Sequence, residues 1–261
     1  MNKINGRFAV LALLSATVLG TTQNADAAKY LVNFKNKAAF NQVHAQFMLQ
    51  QNLALGDVSF FADLGPAAQV EDSLKHLNTV VVDMDDAQIA ELQASGLVAA
   101  IEPETFHPAP LPIQGFQPWK PWNVDMNQIL AASPAGAKTP YGITLVKSHE
   151  AWAVNGKGAG ARVLVLDTGM DVNHPALAAN YEKGKDFNSM ADSSDVTDVV
   201  GHGTHVAGTV AGVLFADGFS GVAPEAKILM GRVCGEQGCS NIAVSRGINW
   251  GIEEKVDVIT M

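Results

Sequence analysis

Apolar and polar positions alternate along this chain with changing rhythm, and each rhythm predicts a different element. Residues 8–19 form a nearly unbroken apolar run, interrupted only by Ser15 and Thr17 and preceded by the cationic Lys3 and Arg7. Polar residues follow, and then the small-x-small triplet of Ala25, Asp26 and Ala27. That order is that of a secretory signal peptide, residues 1–27, cleaved after Ala27. A membrane anchor would need about 18 or more apolar residues in a row, and no stretch of the chain has them. The protein is therefore expected to be secreted or periplasmic, with no membrane association once the signal is removed.

The next rhythm is short. Residues 30–34 and 79–82 are β-branched and aromatic-rich and predict strands, and residues 97–101 predict a third. A helix-compatible stretch covers 37–53. Asp85 and Asp86 start a second helix on which Ile89 and Leu92 share a face, and Gly96 stops it. With a further strand near 58–61, residues 28–106 read as a small α+β sandwich. His44 and His76 are expected at its surface.

Six prolines fall between Pro103 and Pro121. Each locks φ and removes a backbone donor, so residues 107–139 are expected to be an extended linker unable to enter a sheet interior, or an ordered surface loop at 119–122. From Pro140 the rhythm becomes that of buried strands and packed helices. Residues 161–166 are a continuous apolar run after three closely spaced glycines. Residues 206–213 are rich in Gly and Ala, residues 226–230 form a second apolar run, and 256–259 begin a third. Ser240 or Asn241 caps a helix on which Val244, Ile248 and Ile252 recur. Strands alternating with helices predict a parallel α/β sheet over residues 140–261.

Composition narrows the function. Hydrophobic residues make up 48% of the 261 and charged residues 16%, which is globular composition. The formal net charge of -9, without clustered Lys or Arg, excludes a nucleic-acid partner. Two cysteines are too few for a disulfide scaffold or a Cys-rich zinc site; in an exported chain Cys234 and Cys239 pair and close a short loop.

One constellation carries chemistry. Asp167 ends the first apolar strand of the α/β region, and the carboxyl end of such a strand is where sites are built. His202 follows 35 residues later, at the mouth of the Gly/Ala-rich helix. A buried carboxylate beside an imidazole fixes its tautomer and stabilises the imidazolium that forms when the ring accepts a proton. The pair reads as a general base held by an acid.

Asp167-Thr168-Gly169 and His202-Gly203-Thr204-His205-Val206-Ala207-Gly208 resemble the motifs of the subtilisin-like serine proteases. Pro140-Tyr141-Gly142-Ile143, His174-Pro175, Gly221-Val222-Ala223-Pro224 and the final Val256-Asp257-Val258-Ile259-Thr260-Met261 extend the likeness. The resemblance implies an α/β fold with a subtilisin-like parallel sheet and flanking helices, incomplete at its C-terminus. It also implies that 28–106 is an inhibitory, ferredoxin-like α+β propeptide. The implied activity is that of a secreted serine endopeptidase made as a zymogen, with protein or peptide substrates and its own propeptide as intramolecular partner. Asp167 would be the orienting acid and His202 the general base. Thr168 would donate a hydrogen bond to the acid, and His205 would be a structural, core-facing residue. Asp171 reads as a solvated loop carboxylate. In the family, the loop of Cys234 and Cys239 borders the substrate cleft.

The family's serine, in a Gly-Thr-Ser-Met-Ala context, and its oxyanion asparagine both follow the histidine, and neither motif occurs here. Ser189, in Asn-Ser-Met-Ala, precedes His202 and reads as a decoy. The chain is expected to be the front part of a longer precursor, inactive alone. No cofactor is expected: the family's usual calcium positions hold Ala176 and Phe215, which offer no side-chain oxygen, although Asp217, or Asp192 with Asp195, could bind calcium differently. Three competing readings are a propeptide-like inhibitor or inactive pseudoprotease, a metal hydrolase using His202 and His205 with Asp167, and a dinucleotide site. The zinc pattern lacks its glutamate and has i, i+3 spacing. The glycines of a dinucleotide site would follow the strand rather than precede it.

Overall fold

The computed structural model describes residues 28–41, 44, 69–110, 140–189, 193–214 and 219–261. The expected signal segment, the strand expected at 58–61, most of the helix expected at 37–53 and the linker beyond residue 110 lie outside the described residues. The chain divides into two units, Met1–Glu104 and Thr105–Met261.

In the first unit, strands β1 (Ala28–Phe34), β2 (Gln69–Leu74), β3 (Thr79–Met84) and β4 (Val98–Pro103) form an antiparallel sheet in the order β2-β3-β1-β4. The valine run of β3 accounts for its central place, since β-branched side chains suit a pleated surface buried on both sides. Val32, Phe34, Val80, Val82 and Met84 build one core with Phe40 and Leu92. Helix α1 (Asp86–Ala94) brings in Leu92. Its start is a capping box: Asp85 accepts from the Gln88 amide, and the Gln88 side chain accepts from the Asp85 amide, each at 2.9 Å. It ends at Ser95, and Gly96 (φ +70°) turns the chain away in the left-handed conformation that glycine tolerates.

His44 is half-buried rather than fully exposed. It stacks on Phe40 at 5.2 Å, and its Nδ1 lies 2.7 Å from Ser73 Oγ. Burial, and then the cations Lys37 and Lys75, hold its pKa below the ordinary histidine value. His76 is exposed.

The second unit is built on a parallel sheet of β6 (Arg162–Asp167), β7 (Tyr181–Asp186), β8 (Lys227–Arg232) and β11 (Val258–Thr260), in the order β11-β6-β8-β7. Alternate residues of β6 supply two cores. Val163 and Val165 meet Ile228, Met230 and the alanines Ala207 and Ala211 of α4 (His202–Ala211). Leu164 and Leu166 meet Leu229, Val233 and Ala243 of α5 (Asn241–Glu253). This two-faced burial is why the strand reads as a continuous apolar run. Ser240 caps α5, accepting from the Ile242 and Ala243 amides. Helices α2 (Tyr141–Leu145) and α3 (Ser148–Asn155) precede β6.

A smaller antiparallel sheet completes this unit. Strands β5 (Phe106–His107), β10 (Gly238–Ser240) and β9 (Cys234–Gly235) lie in the order β5-β10-β9. Phe106, the last residue of the segment expected to form the first domain, thus lies in the second unit. It sits on an edge strand, which is where a chain about to enter Pro108 and Pro110 can pair.

Candidate active site

Asp167 is the last residue of β6, at the carboxyl end of the parallel sheet, and is 7% exposed. His202 is the first residue of α4. Its Nδ1 lies 2.8 Å from Asp167 Oδ1 and 3.0 Å from Oδ2. The imidazole is 40% exposed, so one side of the ring is held by a buried carboxylate while the rest reaches solvent. With Nδ1 engaged, Nε2 is the nitrogen free to take and return a proton. That division of labour suits a general base.

The helix reaches the strand end because the contact residues are small. A Cβ on Gly203 would lie 2.1 Å from the Gly169 carbonyl oxygen and 3.1 Å from Asp167 Cβ. One on Gly169, at φ +115°, would lie 2.4 Å from the Val196 carbonyl oxygen. Ala207 and Ala211 continue the same buried stripe. Here the close approach requires glycine, and it sets the distance between Asp167 and His202.

Along β10, the backbone is paired on both sides. Cys239 stands opposite Cys234 in β9 and opposite His107 in β5, and Ser240 stands opposite Phe106. Asn241 brackets Thr105: its Oδ1 accepts from the Thr105 amide at 3.0 Å, and its own amide donates to the Thr105 carbonyl at 3.0 Å. Gly238, at φ +116°, lets β5 come close, since a Cβ there would lie 2.2 Å from the His107 carbonyl oxygen. The Cys234 and Cys239 sulfurs are bonded at 2.06 Å, which closes the β9–β10 hairpin.

A model of the subtilase family matches residues 158–261, the part that carries Asp167, His202 and the parallel sheet. Over those residues the second unit is similar to the subtilase family. The major intracellular serine protease of Bacillus subtilis (strain 168) is 43% identical over 126 residues, covering 47% of this chain and 40% of that protein. Subtilisin J of Geobacillus stearothermophilus is 24% identical over 253 residues, covering 96% of this chain and 55% of that protein. The chain thus spans about half the length of the curated relatives it matches. Among solved structures, the epidermin leader peptide processing serine protease of Staphylococcus aureus superposes with a TM-score of 0.53 at 20% identity. That match covers 90% of this chain and 50% of that one, and it shows the shared fold.

Within the second unit, several residues stand where their sequence context did not predict. Thr168 does not give its hydroxyl to Asp167. Its backbone amide donates to Asp167 Oδ1 at 2.7 Å, while its Oγ1 donates to Asp198 Oδ1 and accepts from the Gly203 amide, both at 3.0 Å. His205 does not face the core. The buried stripe of α4 is Gly203, Thr204, Ala207 and Ala211, and position 205 falls outside it. His205 is exposed and lines a cavity of about 710 Å³ with His174, Phe219 and Ser220. Among the described residues no group of three His, Cys, Asp or Glu could hold a metal ion.

Asp171 is not solvated. It is 7% exposed, accepts from the Asn173 amide, and through its own amide donates to Thr204 Oγ1. Nearby His174 has its pKa pushed down by burial, an effect the Asp171 charge opposes, and its Nδ1 accepts from the Ala176 amide. Ala176 is buried and presents only a methyl group, which does not fit calcium ligation at that position. Phe215, Asp217 and Asp192 lie outside the described residues; Asp195 holds the Thr197 amide and hydroxyl. Ser189 is exposed in the loop after β7.

A buried carboxylate that the sequence did not single out lies beside the pair, at Asp198. It is 1% exposed and accepts from Gly201 and Thr204 of the helix start. Its signal was a capping-type residue shortly before a helix whose own N-cap, Gly201, has no side chain.

Proposed function

We propose that the protein is a secreted subtilisin-like serine endopeptidase, in which Asp167 and His202 are the acid and base of an Asp-His-Ser triad. The observation that supports this most directly is the His202 Nδ1 contact of 2.8 Å to the buried Asp167 carboxylate. His202 Nε2 takes the proton of a serine hydroxyl as it attacks the scissile carbonyl, and then returns it to the leaving amine. Asp167 holds the tautomer and stabilises the imidazolium; it does not itself take the proton. A water molecule, activated by the same nitrogen, then hydrolyses the acyl-enzyme. The serine and the oxyanion donor belong to the part of the relatives that this chain does not span. The proposal calls for no metal or cofactor.

The substrates are protein or peptide chains bound in extended form. Support comes from β10, which already holds the extended residues 105–107 on its edge by backbone hydrogen bonds. Main-chain pairing of that kind grips a peptide largely regardless of its side chains. The first unit serves as the inhibitory propeptide of a zymogen, removed by cleavage between residues 106 and 139.

The test is labelling with a serine-directed phosphonate. Protein made from the full reading frame should label at one serine C-terminal to Met261, and His202→Ala should abolish the labelling. Labelling that survives His202→Ala, or that maps to Ser189, would overturn the proposal.

A further inference from the structure

We infer that Asp198 is a positioning residue for the acid–base pair: its buried carboxylate ties the loop after β6 to the first turn of α4, and so sets how His202 meets Asp167. The inference rests on reading Asp167 and His202 as acid and base. Five donors converge on this one side chain. Oδ1 accepts from Thr168 Oγ1 at 3.0 Å, the Val200 amide at 3.0 Å and the Gly201 amide at 2.9 Å. Oδ2 accepts from the Thr204 amide at 2.9 Å and from Thr204 Oγ1 at 2.6 Å.

These donors belong to the two segments that carry the pair. Thr168 adjoins Asp167, and its hydroxyl, while donating to Asp198, accepts from the Gly203 amide beside His202. Thr204 is in the first turn of α4, and its hydroxyl, while donating to Asp198, accepts from the Asp171 amide of the loop after β6. Each hydroxyl is thus a relay between loop and helix, oriented by one carboxylate. Gly201 brings no side chain to the helix start, so Asp198 serves there in place of the usual cap, satisfying the amides of Gly201 and Thr204.

Charge and valence both matter. A carboxylate accepts on both oxygens, whereas an asparagine of the same shape accepts on one and donates from the other. In one orientation its NH₂ faces the Thr204 amide, and in the other it faces the amides of Val200 and Gly201. Either way a buried N–H meets a donor and the tie loosens.

The experiment reads the hydrogen bond itself, so that it does not depend on peptidase activity. A carboxylate-bound imidazole Nδ1–H exchanges slowly and gives a separate downfield proton resonance, assignable to His202 by its loss in Asp167→Asn. The 261-residue protein should show this signal, as should Thr168→Ser, which keeps the hydroxyl. In Asp198→Asn and in Thr168→Val it should be lost to exchange or shifted upfield, with the circular dichroism of the sheet retained. A folded Asp198→Asn protein with the His202 signal unchanged would overturn the inference. If Asp198→Asn does not fold, an unchanged signal in Thr168→Val overturns it in the same way. A missing signal in the unaltered protein would defeat the acid–base reading instead, and the inference with it.

Discussion

The Thr168 hydroxyl donates to Asp198, 30 residues away, and not to Asp167, its neighbour in sequence. Asp167 takes the Thr168 backbone amide instead, and the hydroxyl is left to join strand end and helix start. The geometry of the site is therefore set by backbone approach and by a second, wholly buried carboxylate, as much as by the two residues that would handle the proton.

Close approach makes opposite predictions for two glycines of one helix. Gly203→Ala places a methyl group against the Gly169 carbonyl, which cannot yield without moving the loop that carries Asp167. It should destabilise the second unit by roughly 1–3 kcal/mol. Gly208→Ala meets no atom within 4 Å and should stabilise by up to about 1 kcal/mol through helix propensity alone. Urea denaturation of the two variants checks both signs.

Reduction of the Cys234–Cys239 bond opens the hairpin that carries β10. Its loop is short, so the loss of stability should be about 2 kcal/mol on the chain-entropy model. The effect should also be local. Hydrogen exchange should speed up at the amides of residues 238–241, while those of β6 and β8 stay protected. Uniform acceleration across the sheet would show that the bond supports the whole unit.

Gly238→Ala should release the edge strand. The left-handed φ and the 2.2 Å approach to the His107 carbonyl oxygen leave no room for a methyl group. Limited proteolysis should cut residues 105–110 faster in this variant than in the unaltered chain, with the folding of β6 and β8 unchanged.

Charge in the first unit predicts a pH dependence. Burial, and then Glu71 beside it, raise the Asp83 pKa above the ordinary carboxylate value, while Lys29 opposes the shift. A carboxyl whose folded pKa exceeds its unfolded one binds protons more tightly in the folded state. Its contribution is present below the unfolded value and is lost as the pH rises through the folded one. Asp83→Asn should therefore stabilise the first unit at neutral pH and have little effect in acid. Hydrogen exchange of the β1 and β3 amides at two pH values reads this difference.

How much was legible in the sequence follows from how local each signal is. β3 and β6 were plain because their runs of valine and leucine are buried on both faces. Helix α1 declared its own start through Asp85 and Gln88. By contrast, β2 and β7 are edge strands whose outer faces are polar, and Gln-Val-Glu-Asp-Ser-Leu and Tyr-Glu-Lys-Gly-Lys-Asp carry no strand pattern. Pairing of Phe106 with Ser240 spans more than a hundred residues and left no local mark. In the site, Asp167 and His202 sit in specific motifs. Asp198 offered only the weak mark of a capping-type residue shortly before a helix, and the convergence of five donors on it shows only in the fold. Asp171 and His205 were misassigned for the same reason: burial depends on which face of a loop or helix meets the sheet, not on the residue type.

The most direct test of the central claim is kcat for peptide hydrolysis by protein made from the full reading frame, with and without Asp167→Asn. Loss of the orienting carboxylate leaves the site intact but the imidazole in the wrong tautomer, and a fall of about 10⁴-fold in kcat with little change in KM is predicted. Hydrolysis within a few-fold of the unaltered protein would contradict it.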